Sequence, residues 1–174
     1  SNVGATSIWI EYTANGTVDR QQTRTVTASA SATHLAGAKH VHQDLHYFPS
    51  GAHALTCAIS PRAFFQVNTA AAERMFSVIR RCALSCDGLD RAEPDKQHQT
   101  ILLDVCCGAG TIGLFVASSE HCVGVVGVDS CVEAVEDARK NALRNELAQK
   151  STFRAGRAED CIAELQQQVT EMLQ

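Results

Sequence analysis

The stretch LLDVCCGAGTIGLFVA (Leu102–Ala117) limits what this chain can fold into more than any other. A short apolar run with one carboxylate, Asp104, leads straight into Gly108-Ala109-Gly110-Thr111-Ile112-Gly113 and then into an apolar helical pattern. Strand, glycine-rich turn and helix in that order open a βαβ unit, in which parallel strands are joined by right-handed crossovers. Such a turn stands at the carboxyl end of its strand, the edge where parallel α/β sheets bind ligands.

From Pro61 onward the rest of the chain keeps the same alternation. Thr69–Leu84 sets Ala72, Met75, Phe76, Ile79 and Ala83 at helical spacing behind a cap at Asn68 or Thr69. Residues 86–99 are polar and read as a loop. Val123–Val128 is a second buried strand ending at Asp129. Ser130 and Glu133 then form a capping box for a helix with Val132, Val135, Ala138, Ala142 and Leu143 as its buried stripe. Ser151–Ala155 reads as a third strand. Ala158–Leu173 reads as a closing helix with Cys161, Ile162, Leu165, Val169 and Met172 on one face. The first sixty residues differ: SIWIEYTANGTV runs into Asn15-Gly16, a strong hairpin signal, and TRTVTASA and ALTCAIS read as further strands. The expectation is an α/β fold, with a small β-rich segment over residues 1–60 and a Rossmann-like domain over residues 61–174.

A net charge of −4 and a pI of about 5.9 argue against bulk electrostatic binding of nucleic acid. Such a partner must be held by local patches or by other parts of a longer protein. No apolar run approaches the roughly 20 residues of a membrane span, and SNVGATSIWIEY lacks the pattern of a signal peptide. An intracellular protein, cytoplasmic or nuclear, is expected. Eight cysteines without a Cys-x-x-Cys pair, several in apolar runs, read as reduced core residues. His40, His42 and His46 with Asp44 match no zinc spacing and read as a solvated loop. Phe64 and Phe65 read as core. Arg80-Arg81 and Arg139-Lys140 read as solvated helix faces, with RNA-backbone contact as the alternative. Glu159 reads as a first-turn carboxylate favoured by the helix dipole rather than a general base.

The turn also matches G-x-G-x-x-G with Asp129 about 20 residues on, the fingerprint of a dinucleotide site, so a nicotinamide-binding module is open. Asp104-Val-Cys-Cys-Gly108-Ala-Gly110 resembles the D-x-G-x-G-x-G signature of class I methyltransferases, with Cys106 in place of the first glycine. In that class the loop allows close backbone approach to the sugar and methionine portions of S-adenosyl-L-methionine, and a carboxylate at the Asp129 position takes the ribose hydroxyls.

Four segments together resemble the RNA uracil-5-methyltransferase family, nearest to its eukaryotic tRNA (uracil-5-)-methyltransferases. They are Ser60-Pro-Arg-Ala-Phe-Phe-Gln-Val-Asn-Thr69, LLDVCCGAGTIGL, VVGVDSCVEAVEDARKNALRNEL and FRAGRAED. The resemblance implies S-adenosyl-L-methionine as cofactor, no metal, and tRNA as partner. It also implies cofactor contacts at Gln66, Asp104, Cys106, Gly108, Gly110, Thr111, Asp129 and Asp160. The implied reaction adds a Cys thiolate to C6 of uracil, so that C5 can attack the sulfonium methyl; a carboxylate then removes the C5 proton and the thiolate is eliminated from C6. In the family both groups follow a later strand, so they are expected beyond Gln174. Cys106 and Cys107 then floor the cofactor loop and neither is the nucleophile. The chain is expected to be a catalytically inactive first half of the methyltransferase fold, prone to self-association along Ile101–Val105. Another methyltransferase acting on protein or a small molecule is the alternative of the same class.

Overall fold

The computed structural model describes residues 7–12, 31–37, 39–61, 63–85 and 99–172. Strand β1 (Ser7–Tyr12) pairs antiparallel with β2 (Ser31–Gly37). The Asn15-Gly16 turn and TRTVTASA lie outside the described residues. Strands β3 (Val41–His46) and β4 (His53–Ile59) form a second antiparallel pair. The solvated loop expected around His42 and Asp44 is therefore a strand. Its polar residues are tied down: the Thr56 hydroxyl donates to Asp44 at 2.6 Å, and the His46 N–H donates to Glu73 at 2.9 Å. Leu45, between them in sequence, is fully buried. A strand with one wet face carries as many polar residues as a loop, and only its period of two gives it away.

Helix α1 (Thr69–Leu84) begins as expected, with Asn68 Oδ1 accepting the Ala71 N–H at 3.1 Å. It buries Ala72, Phe76 and Leu84, while Met75 is exposed. Then β5 (Thr100–Val105), α2 (Thr111–Ala117), β6 (Cys122–Asp129), α3 (Val132–Arg144), β7 (Ser151–Ala155) and α4 (Ala158–Met172) alternate. Their sheet has the order β5-β6-β7, all parallel. Val105 lies beside Val128 and Asp129 beside Ala155, so the loops after β5, β6 and β7 share one edge.

Helix α2 is buried almost all round, as a helix with no polar stripe must be. Leu114, Phe115, Val116 and Ala117 are inaccessible, and Phe115 meets the rings of Tyr47 and Phe76. Leu45, Leu55 and Cys57 of the β3–β4 pair join the same core, which thus spans both sides of residue 60. A smaller core on the other sheet face packs Val126 and Val128 against Cys161 and Leu165 of α4. Ile162, expected on that stripe, is exposed.

Two further expectations fail on α3. The cap residue is Cys131 with no side-chain cap bond, not Ser130, and the Cys131 N–H itself donates to Asp129 Oδ1 at 2.8 Å. Val132 and Leu143 are exposed, whereas Asp137 and Asn141 are buried beside Val135, Ala138 and Ala142. The buried face is rotated toward residues that sequence hydropathy places outside. The seven described cysteines are all free, with Cys57, Cys107, Cys122 and Cys161 buried; Cys86 lies outside the described residues. Among the described residues, no helix is long and apolar enough to cross a membrane.

A candidate ligand cleft at the carboxyl edge of the sheet

Between β5 and α2 the backbone turns through three left-handed residues, Cys106 (φ 63°), Gly108 (φ 54°) and Gly110 (φ 75°). Cys106 is the costly one, since a side chain in this region costs roughly 1–2 kcal/mol. Hydrogen bonds hold the conformation: Cys107 N–H to Val128 C=O at 3.0 Å, Gly110 N–H to Cys107 C=O at 2.9 Å, and Gly108 N–H to Asp129 Oδ2 at 2.9 Å.

The two left-handed glycines serve different ends. A Cβ on Gly108 would meet nothing within 4 Å, so its bare backbone faces open space. A Cβ on Gly110 would lie 2.9 Å from Ala138 Cβ and 3.0 Å from Phe153 Cζ, so that glycine lets the turn pack on α3 and β7. Behind the turn, Asp104 accepts the Gly113 N–H at 3.0 Å. Burial pushes its carboxyl up to about 6; the Gly113 hydrogen bond works against this, and the Asp129 charge adds to it.

The turn forms one wall of a cleft with a volume of about 240 Å³; Phe64, Phe65 and Gln66 line it from the segment after β4. Five of the expected contact residues, Gln66, Cys106, Gly108, Thr111 and Asp129, come together there. Asp104 and Gly110 stand behind the turn as its supports. Asp160 is exposed on the first turn of α4, 4.0 Å from Arg157, and lines no part of the cleft. Phe64, expected in the core, is 76% exposed at the cleft, while Phe65 packs against the core. In an extended segment neighbouring side chains point opposite ways, so the Phe64-Phe65 pair itself signals that one ring faces outward.

The residues expected on solvated helix faces divide similarly. Arg81 is exposed, but Arg80 lies over the Tyr47 ring at 4.9 Å, and Arg139 donates twice to the Phe153 carbonyl. Glu159 is a first-turn carboxylate, its pKa lowered by a backbone hydrogen bond and by Arg157. The Cys107 thiol is pushed up to about 12, first by burial and then by Asp104 and Asp129; burial pushes Cys57 up to about 11. A thiol so raised is a poor nucleophile.

The cleft offers a carboxylate, bare backbone and an apolar wall, which suits a ligand carrying hydroxyls beside a flat ring. Each Asp129 oxygen already accepts one backbone N–H. An ionised carboxylate has about four acceptor positions, so two remain for hydroxyls.

Residues 96–172 match the model of a methyltransferase domain. The crystal structure of the Pyrococcus abyssi tRNA (uracil-54, C5)-methyltransferase in complex with S-adenosyl-L-homocysteine shares the fold. Its TM-score is 0.54 at 21% identity, covering 78% of this chain and 28% of that one. The fold is thus that of the class I methyltransferases. Within that class, human "tRNA (uracil-5-)-methyltransferase homolog A" is 46% identical over 132 residues, 76% of this chain and 18% of that protein. Zinc finger CCCH domain-containing protein 24 of Arabidopsis thaliana is 40% identical over 121 residues, covering 69% and 13%. The similarity is to tRNA (uracil-5-)-methyltransferases, and the chain spans less than a fifth of the length of these curated relatives.

Proposed function

We propose that the chain is the S-adenosyl-L-methionine-binding part of an enzyme that methylates C5 of uridine in tRNA, in the cytoplasm or nucleus. The observation that carries this reading is the 46% identity to the human tRNA (uracil-5-)-methyltransferase homolog. The cleft fits the cofactor: the missing Cβ of Gly108 leaves open space beside the Asp129 carboxylate. When bound, the cofactor supplies an electrophilic sulfonium methyl. Asp129 holds the ribose hydroxyls, Gly108 admits the sugar against the backbone, and Gln66 and Thr111 supply polar groups on facing walls. Cys106 lines the same floor. Asp104 and Gly110 act from behind, by keeping the turn in shape. Asp160 enters this proposal on its place in the Ala-Glu-Asp motif alone.

Neither Cys107 nor Cys57 can supply the thiolate that addition at C6 of uracil requires, because burial holds both thiols protonated at neutral pH. The nucleophile and its base are therefore assigned to residues other than these. Calorimetric titration with S-adenosylhomocysteine, and separately with NADH, tests the cofactor: the first is expected to bind and the second not. Labelled methyl transfer to unmodified tRNA tests the rest. The 174-residue chain is expected to bind cofactor without transferring methyl, whereas the longer enzyme transfers it. Formation of 5-methyluridine by this chain, abolished by replacing one of its own cysteines, would show the nucleophile to lie within it.

A further inference from the structure

Two polar residues of α3, Asp137 and Asn141, and its C-cap residue Asn145 stand in for a strand. In an antiparallel pair every second residue turns its N–H and C=O away from the partner, and along β4 these residues are Thr56, Ala58 and, just past its end, Ser60. Asn145 accepts the Thr56 N–H at 2.9 Å and donates to the Thr56 carbonyl at 3.0 Å. Asn141 repeats the pattern on Ala58, at 2.7 and 3.0 Å. Asp137 Oδ2 accepts the Ser60 N–H at 2.8 Å. Four residues of helix advance about 6.0 Å and two residues of strand about 6.8 Å, so the two periods stay matched over three rungs.

Asn141 differs from its neighbours in one respect. It is fully buried, and its amide nitrogen also donates at 3.2 Å to the carbonyl of Ala109, inside the glycine turn. One side-chain amide thus ties the strand that leads to the Phe64–Gln66 wall to the turn that forms the opposite wall. Asn145 makes the same two bonds to β4; its further donation, at 2.7 Å, goes to the Asn141 carbonyl of its own helix and not to the turn.

We propose that Asn141 is a positioning residue for the cleft, setting the spacing between its aromatic wall and its glycine turn, and that Asn145 only holds the strand. This rests on the cleft being the ligand site. Asn141→Asp keeps an acceptor for the Ala58 N–H but turns an oxygen toward two carbonyls; Asn145→Asp makes the same exchange one rung away. Without ligand, hydrogen exchange at the Cys107 and Gly110 amides is expected to speed up by about tenfold or more in Asn141→Asp, the scale of one lost hydrogen bond. In Asn145→Asp the change is expected to stay near Thr56. With ligand, Asn141→Asp is expected to weaken S-adenosylhomocysteine binding by about tenfold, and Asn145→Asp by less than about twofold, as for an uncoupled site. If Asn141→Asp does not fold, Asn141→Ser, whose hydroxyl is too short to bridge both carbonyls, takes its place. Equal effects at the two sites, or an Asn141 variant with an unchanged turn and unchanged affinity, would overturn the proposal. Failure of the unaltered chain to bind S-adenosylhomocysteine would instead overturn the cofactor assignment, and the ligand-free exchange would still decide the role of Asn141.

Discussion

Asp129 holds the turn through Gly108, the start of α3 through Cys131 and, in the proposed function, the ribose of the cofactor. Asp129→Ala is expected to weaken S-adenosylhomocysteine binding by about 1.5–3 kcal/mol, the cost of leaving paired hydroxyls without a charged acceptor; calorimetry measures it directly. Asp104 makes a different demand. Its folded carboxyl, at about 6, lies above the ordinary value near 4, so the folded chain binds this proton more tightly than the unfolded chain. The contribution to stability is full below pH about 4 and is lost as pH rises to about 6. Asp104→Asn keeps an acceptor for the Gly113 N–H and carries no charge. It is expected to melt higher than the unaltered chain at neutral pH and to show no such advantage near pH 4, in thermal unfolding across that range. Cys106 tests the turn itself: Cys106→Gly relieves a left-handed side chain and is expected to leave the melting temperature unchanged or raised. Cys106→Val, whose branched Cβ fits this region worse than an unbranched one, should lower it.

At the scale of elements, the contact of the turn with α3 and β7 leaves no room for a methyl group at Gly110. Gly110→Ala is expected to destabilise the chain by about 1–3 kcal/mol through overpacking and strain, read from denaturant unfolding. What could be read in advance follows from the same packing. Strand β6 and helix α2 were legible because they are buried almost all round and their apolar runs need no phase. The phase of α3 was not legible, because its buried face includes Asp137 and Asn141, whose polar groups are satisfied by a strand 77 to 83 residues away in sequence. Hydropathy counts such residues as exposed, and only their spacing of four with Asn145 hints at a shared face. The cleft was legible where it is built from one turn, at Cys106, Gly108 and Thr111, and from Asp129 at the adjoining strand end. It was misread at Phe64, where two neighbouring rings were assigned to one core. Strand β3 was hidden by its polar residues, which partners on other elements help to hold: Glu73 accepts the His46 N–H and the Thr56 hydroxyl donates to Asp44.

For the whole molecule, β5 lies at one side of the three-stranded parallel sheet among the described residues, with Leu103 and Val105 about half exposed. A long apolar edge with open backbone groups invites association. The 174-residue chain is expected to self-associate at micromolar concentrations in light scattering, and Leu103→Lys is expected to reduce this. A monomeric unaltered chain would contradict the expectation. The rungs between α3 and β4 also set an order in time. Ala58 and Asn141 are 83 residues apart, and Thr56 and Asn145 are 89 apart. At a synthesis rate of about 5–20 residues per second, β4 waits roughly 4–18 s on the ribosome before its second edge is covered. During that interval the aromatic wall of the cleft exists as sequence without a fixed place, and the cleft is among the last features of the domain to form.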